Sequence, residues 1–87
     1  MEAEEWLKLI EAYRCEMKRQ GYSESTIKYE IMALRRILRE FGDLGKITEN
    51  DIWKRYAFKS KYTRRNMQQA LRNFKRWLRE CGLNGED

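Results

Sequence analysis

Residues 63–81, TRRNMQQALRNFKRWLREC, are at once the most regular amphipathic stretch of the chain and its most basic one. On a period of about 3.6 residues, Met67, Ala70, Leu71, Phe74, Trp77, Leu78 and Cys81 fall on one apolar stripe, the spacing of a helix that buries one side. The opposite side carries Arg65, Gln68, Gln69, Arg72, Lys75, Arg76 and Arg79. Exposed helix faces normally mix charges, because paired acids and bases aid solubility and add small i,i+4 gains. Here no acid appears before Glu80, and a single sign of charge implies a partner of the other sign.

The excess extends beyond this stretch. Residues 52–79 hold ten basic residues and no acid: Lys54, Arg55, Lys59, Lys61, Arg64, Arg65, Arg72, Lys75, Arg76 and Arg79. Residues 1–51 sum to −2 and residues 80–87 to −3, so the net charge of +5 conceals a strong asymmetry. That is the electrostatic footprint of a surface for a polyanion; the plainer reading is a solvated helix back in a basic protein.

Eighty-seven residues suffice for a single domain, 1–87, with one core and no enclosed cleft. A hydrophobic fraction of 41% argues against disorder. No proline, five glycines and long runs of Glu, Lys, Arg, Leu and Ala favour helices over strands. No secretory h-region or membrane-spanning run is present, so the expected setting is cytoplasmic and DNA-accessible, with no membrane partner. With no histidine, and with Cys15 and Cys81 far apart, neither a zinc site nor a Cys–His nucleophile can be assembled. No metal, cofactor or small-molecule substrate is expected. Cys81 continues an apolar stripe and reads as a reduced core thiol; a disulfide to Cys15 stays open.

The pattern predicts an all-α fold, a compact orthogonal bundle of four helices over about 3–20, 24–41, 49–58 and 64–81. In the first, Trp6, Ile10, Tyr13 and Met17, helped by Leu7 and Leu9, form the buried stripe and the surface is charge-mixed; Gly21 ends it. Ser23 caps the second, with Ile27, Ile31, Leu34, Ile37, Leu38 and Phe41 inward. Lys28, Tyr29, Met32, Arg35, Arg36 and Arg39 make a second basic face opposite. Gly42–Lys46 reads as a loop and lacks the spacing of a phosphate-binding P-loop. Thr48, with Asp51 three residues on, forms a capping box for the third helix, and Ile47 and Ile52 a hydrophobic staple. Ile52, Trp53, Tyr56 and Phe58 are expected inward, Thr63 is the expected cap of the fourth helix, and residues 82–87 read as a frayed tail.

In this order the segments GYSESTIKYEIMALRRILREFG, ITENDIWKRYAF and KYTRRNMQQALRNFKRWLRECGL resemble the N-terminal core-binding (SAM-like) domain of the tyrosine recombinase, or phage integrase, family, over about residues 6–83. The markers are Gly21 and Ser23 leading to Thr26, then Ile27, Leu34 and Leu38, the pairs Ile47-Thr48 and Asp51-Ile52, and Thr63 followed by Leu71, Phe74, Trp77, Leu78 and Gly82. The resemblance implies a four-helix jaw of a clamp on duplex DNA whose second and fourth helices cross the major groove, with sister subunits as further partners in a synapse. Family members often carry an aromatic four residues after the threonine matched by Thr26; here Glu30 stands there and Tyr29 one place earlier, so no aromatic contact is carried over. The family's catalytic residues lie in a C-terminal domain that these residues do not include. The chain is expected to be an excised domain or a stand-alone relative that binds without cutting, and so not an enzyme.

The DNA-binding set expected from sequence is Lys28, Tyr29, Arg35, Arg36, Arg39, Lys59, Lys61, Thr63, Arg64, Arg65, Gln68, Gln69, Arg72, Lys75, Arg76 and Arg79. Its lysines and arginines would neutralise phosphates. Gln68, Gln69 and Arg72 would read base edges, since Gln pairs with adenine and Arg with guanine, and the helix N-terminus at Thr63 would seat a phosphate. Two other readings stand beside this one. A helical interaction module would present the same basic surface to an acidic protein, and a single-strand binder would stack bases on Trp53, Tyr56, Tyr62 or Trp77, although Tyr56 and Trp77 lie on inward stripes.

Overall fold

A computed structural model describes residues 1–83, and all of its regular structure is helical: α1 (Ala3–Arg19), α2 (Glu24–Phe41), α3 (Glu49–Arg55) and α4 (Lys61–Glu80). The tail expected at 82–87 lies, from residue 84 onward, outside the described residues.

Local chemistry sets each helix end. The Ser23 side chain accepts the Thr26 amide at 3.2 Å and starts α2. Gly42 ends α2 with φ 74°, a left-handed conformation that costs a side chain-bearing residue about 1–2 kcal/mol. Thr48 and Asp51 form the expected capping box at 3.2 and 2.8 Å. α3 stops at Arg55, earlier than 58. Tyr56 is fully buried and serves as the C-cap, its carbonyl taking the Lys59 amide at 2.9 Å, while Ala57 and Phe58 are exposed and gain nothing from continuing the helix.

The fourth helix starts three residues before the expected point. Ser60, not Thr63, is its N-cap: the Ser60 Oγ accepts the Thr63 amide at 3.1 Å and donates to the Thr63 hydroxyl at 3.1 Å. Two hydroxyl residues three apart both satisfy the sequence criterion for a cap. The earlier one captures the chain and makes Tyr62 helical, so the end that could seat a phosphate lies at Ser60 rather than Thr63.

One core joins all four helices. Trp6, Ile10, Tyr13 and Met17 of α1 meet Ile27, Ile31, Leu34, Ile37 and Leu38 of α2, Ile52 of α3, and Met67, Ala70, Leu71, Phe74 and Leu78 of α4. Phe74 is the hub: it lies edge-on to Tyr13 at 5.4 Å and tilted to Trp6 at 6.3 Å. Fully burying such side chains stabilises by about 1.5–3 kcal/mol each. Leu44 and Ile47 from the connection before α3 are also buried, Leu44 completely, so this loop closes one end of the core. Cys81 departs from expectation. It follows the last helical residue and Gly82 turns the chain away with φ 72°, so the stripe runs past the helices it packs on and the thiol is exposed and free, as is Cys15. Leu7 and Phe58 are likewise exposed, and Trp53 is half-buried.

Candidate functional site

Residues on α2 pair with residues on α4 in opposite order, so the two helices run antiparallel with a groove between them. Arg36 shares a recess with Lys59 and Thr63, Tyr29 meets Asn66, and Thr26 lies across from Gln69. The wider part is an open groove of about 480 Å³ lined by Ser25, Thr26, Tyr29, Tyr62, Asn66 and Gln69, with Glu30 on its floor. Tyr62 on its α4 side is 77% exposed, and Met32, which lines the neighbouring recess with Arg36 and Thr63, is 59% exposed.

The floor is rigid. Glu30 accepts the Tyr13 hydroxyl at 3.2 Å and the Asn73 amide at 3.4 Å, one on each carboxylate oxygen, and thereby ties α1, α2 and α4 together. Burial pushes this carboxyl above its ordinary value, partly offset by the two donors. Desolvation likewise raises the Tyr13 and Tyr29 hydroxyls, with the Asn66 amide lying against the Tyr29 oxygen.

The face of α4 turned toward α3 has another task. Arg64, Gln68, Arg72 and Lys75, spaced so as to share one side of a helix, bind α3 and its approach. The Arg64 guanidinium lies 3.6 Å from the Trp53 ring centroid and donates to the Trp53 carbonyl at 2.7 and 3.2 Å. Gln68 donates to the Glu49 carbonyl at 2.8 Å, and Lys75 to the Ile47 carbonyl at 2.5 Å. Arg72 forms a two-pronged pair with the Glu49 carboxylate at 2.6 and 2.9 Å, which lowers the pKa of that acid. The expected trio of readers is therefore divided. Gln68 and Arg72 are held by Glu49, whereas Gln69 is exposed on the groove side with no hydrogen bond among the described residues.

No family model, curated protein or solved structure matches this chain.

The remaining expected residues separate in the same way. Lys28, Arg39, Lys61, Arg65, Arg76 and Arg79 are exposed and form no ion pair among the described residues, although Arg76 donates to the Asn73 side chain at 3.0 Å. Arg35 is paired with Glu11 at 3.2 Å, and Arg36 is half-buried with its guanidinium 5.5 Å from the Tyr56 ring centroid. Lys59 lies over Phe58 at 5.4 Å, and Thr63 is taken up by the Ser60 cap. Asn66 stands outside the residues expected from sequence, and Tyr62 enters there only as a base-stacking aromatic and not in the duplex-binding set. The signal was present: Tyr62, Asn66 and Gln69 share the i, i+4, i+7 spacing of a third α4 face, between the apolar stripe and the basic ridge.

Of the aromatics considered for base stacking, Tyr56 is fully buried, Trp53 is roofed by Arg64 and Trp77 is half-buried against Tyr13, which leaves Tyr62. Among the described residues there is no cluster of three or more His, Cys, Asp or Glu side chains able to hold a metal, and no helix long and apolar enough to cross a membrane.

Proposed function

We propose that this chain binds double-stranded DNA as a core-binding domain of the tyrosine recombinase kind, with α2 and α4 laid on one duplex. The observation that carries the reading is the arrangement of unpaired charge. Lys28 and Arg39 on α2, and Lys61, Arg65, Arg76 and Arg79 on α4, are exposed without an acidic partner among the described residues. Rotation of about 100° per residue puts Arg65 and Arg76 beside Gln69 on α4, and Lys28 and Arg39 beside Met32 on α2. Two cationic ridges thus flank a groove with polar and apolar contact groups. A B-DNA major groove admits a helix, and cationic ridges at its edges meet phosphates.

The sequence pattern supports the family reading, and the chain then acts by binding, with the recombinase chemistry on other residues. Its setting is DNA-associated in the cytoplasm, and sister subunits are its further partners. Arg65→Ala tests the electrostatic part. It should weaken binding to all duplex sequences alike and reduce the slope of log K against log salt by about 0.9. An unchanged slope would remove Arg65 from the contact set. The competing interaction module predicts no complex with DNA at low salt and a concentration-dependent oligomer in light scattering.

A further inference from the structure

We infer that the recess between α2 and the start of α4 docks an acidic segment of a partner protein, one bulky apolar side chain entering the recess and flanking carboxylates pairing with Arg36 and Lys59. Such docking goes beyond the proposed DNA binding and does not depend on it.

Tyr29, Met32, Ala33 and Met67 form the apolar part of the recess, with Arg36, Lys59 and Thr63 around it, and its volume is about 160 Å³. Pockets for whole small ligands run to about 300–1,000 Å³, so this one has room for a single large side chain. Ala33 and Met67 are buried and belong to the core, whereas Met32 stands 59% exposed. Phe58, 70% exposed, adds an aromatic surface beside the recess, with the Lys59 ammonium 5.4 Å from its ring centroid. Methionine, aromatic and arginine side chains gathered in this way are the composition that protein interfaces favour. A duplex offers no counterpart to the apolar part, because the apolar group it presents in the major groove is the thymine methyl, far smaller than the recess.

Charge decides the chemistry of the partner. Arg36 is half-buried, its Nε is buried with no hydrogen-bond partner, and it forms no ion pair among the described residues. Glu40, one helical turn on, pairs with Arg55 instead, and Arg35 and Arg72 hold Glu11 and Glu49. Lys59 likewise forms no ion pair among the described residues. A charge withdrawn this far from water is normally paired, and a carboxylate from outside the chain would supply the pair. An acidic segment carrying one bulky apolar residue therefore meets both halves of the recess, as an anchor side chain fills a pocket surrounded by polar contacts.

The test is selection from a display library of short random peptides on the wild-type chain, followed by titration of the best synthetic peptide in anisotropy and in methyl spectra of the chain. Peptides with Asp and Glu around a Leu, Phe or Trp should be enriched, and the selected peptide should shift the methyl signals of Met32, Ala33 and Met67. Changing its apolar residue to Ala should weaken it about tenfold or more, as should Met32→Glu in the chain. The methyl shifts are read on the wild type, so the result does not depend on how a variant folds. No enrichment, enrichment of acidic peptides without an apolar residue, or shifts confined to residues away from the recess would overturn the docking. Self-association of the chain that Met32→Glu abolishes would assign the recess to a second copy and overturn a separate partner. A chain that selects such peptides but binds no duplex at low salt would overturn the DNA reading and leave the docking standing; duplex binding without peptide selection would do the reverse.

Discussion

Single residues carry two kinds of charge in this protein. Glu30 is buried enough that its carboxyl titrates above the ordinary value, so its contribution to stability is greatest below that value and is lost as pH rises through the raised one. Glu30→Gln should therefore melt higher than wild type at neutral pH, with the gap closing as the pH falls through the raised value toward the ordinary 4.5; a gap independent of pH in thermal scans would contradict this. Glu49 is shifted the opposite way by its bond to Arg72, so that pair contributes above the ordinary carboxylate range and fades as pH falls through the lowered value. Both partners are well exposed, at 49% and 41%, so a double-mutant cycle on Glu49 and Arg72 should give about 0.3–1 kcal/mol, smaller in high salt. A coupling of several kcal/mol would mean the pair is far better shielded than its exposure indicates. The use of Arg72 was not legible in the sequence. Its partner lies 23 residues away on another helix, and the helical wheel shows that a side chain leaves the core without showing what it meets.

Among the elements, the helices themselves were plain from hydrophobic spacing, because each buries one stripe and periodicity records that directly. Their ends were less so. α4 has two eligible caps three residues apart, and the choice of Ser60 depends on where the chain leaves the buried Tyr56 turn, a tertiary fact. Ser60→Ala should cost about 1 kcal/mol in urea unfolding and Thr63→Ala distinctly less; the reverse order would restore Thr63 as the cap. Leu44 is a loop residue whose burial the sequence does not disclose. Flanked by glycines and an aspartate, it reads as loop, yet it is fully buried, held by a turn in which Asp43 accepts the Lys46 amide at 2.6 Å. Leu44→Ala should cost about 2–5 kcal/mol, the range for a core truncation, and a cost below 1 kcal/mol would mean that the connection is not part of the core.

At the scale of the molecule, the four-helix bundle makes α2 and α4 neighbours and gives the basic segment two sides, one locked onto α3 and one open beside α2. The charge asymmetry of the sequence marked out α4 and the segment before it, while the division between paired and exposed cations needed the packing. The proposed function depends on that division: phosphate contact through Lys28, Arg39, Lys61, Arg65, Arg76 and Arg79, with Arg64 and Lys75 holding α3 in place. The most direct test is an anisotropy titration of a short random-sequence duplex over about 50–200 mM salt, comparing wild type with a Lys28→Ala, Lys61→Ala, Arg65→Ala triple variant. The account predicts wild-type binding that weakens linearly in log salt, and a triple variant that keeps its helicity but binds weakly and with a slope shallower by about 2.7. No wild-type binding at the lowest salt, or a triple variant with unchanged affinity and slope, would contradict it.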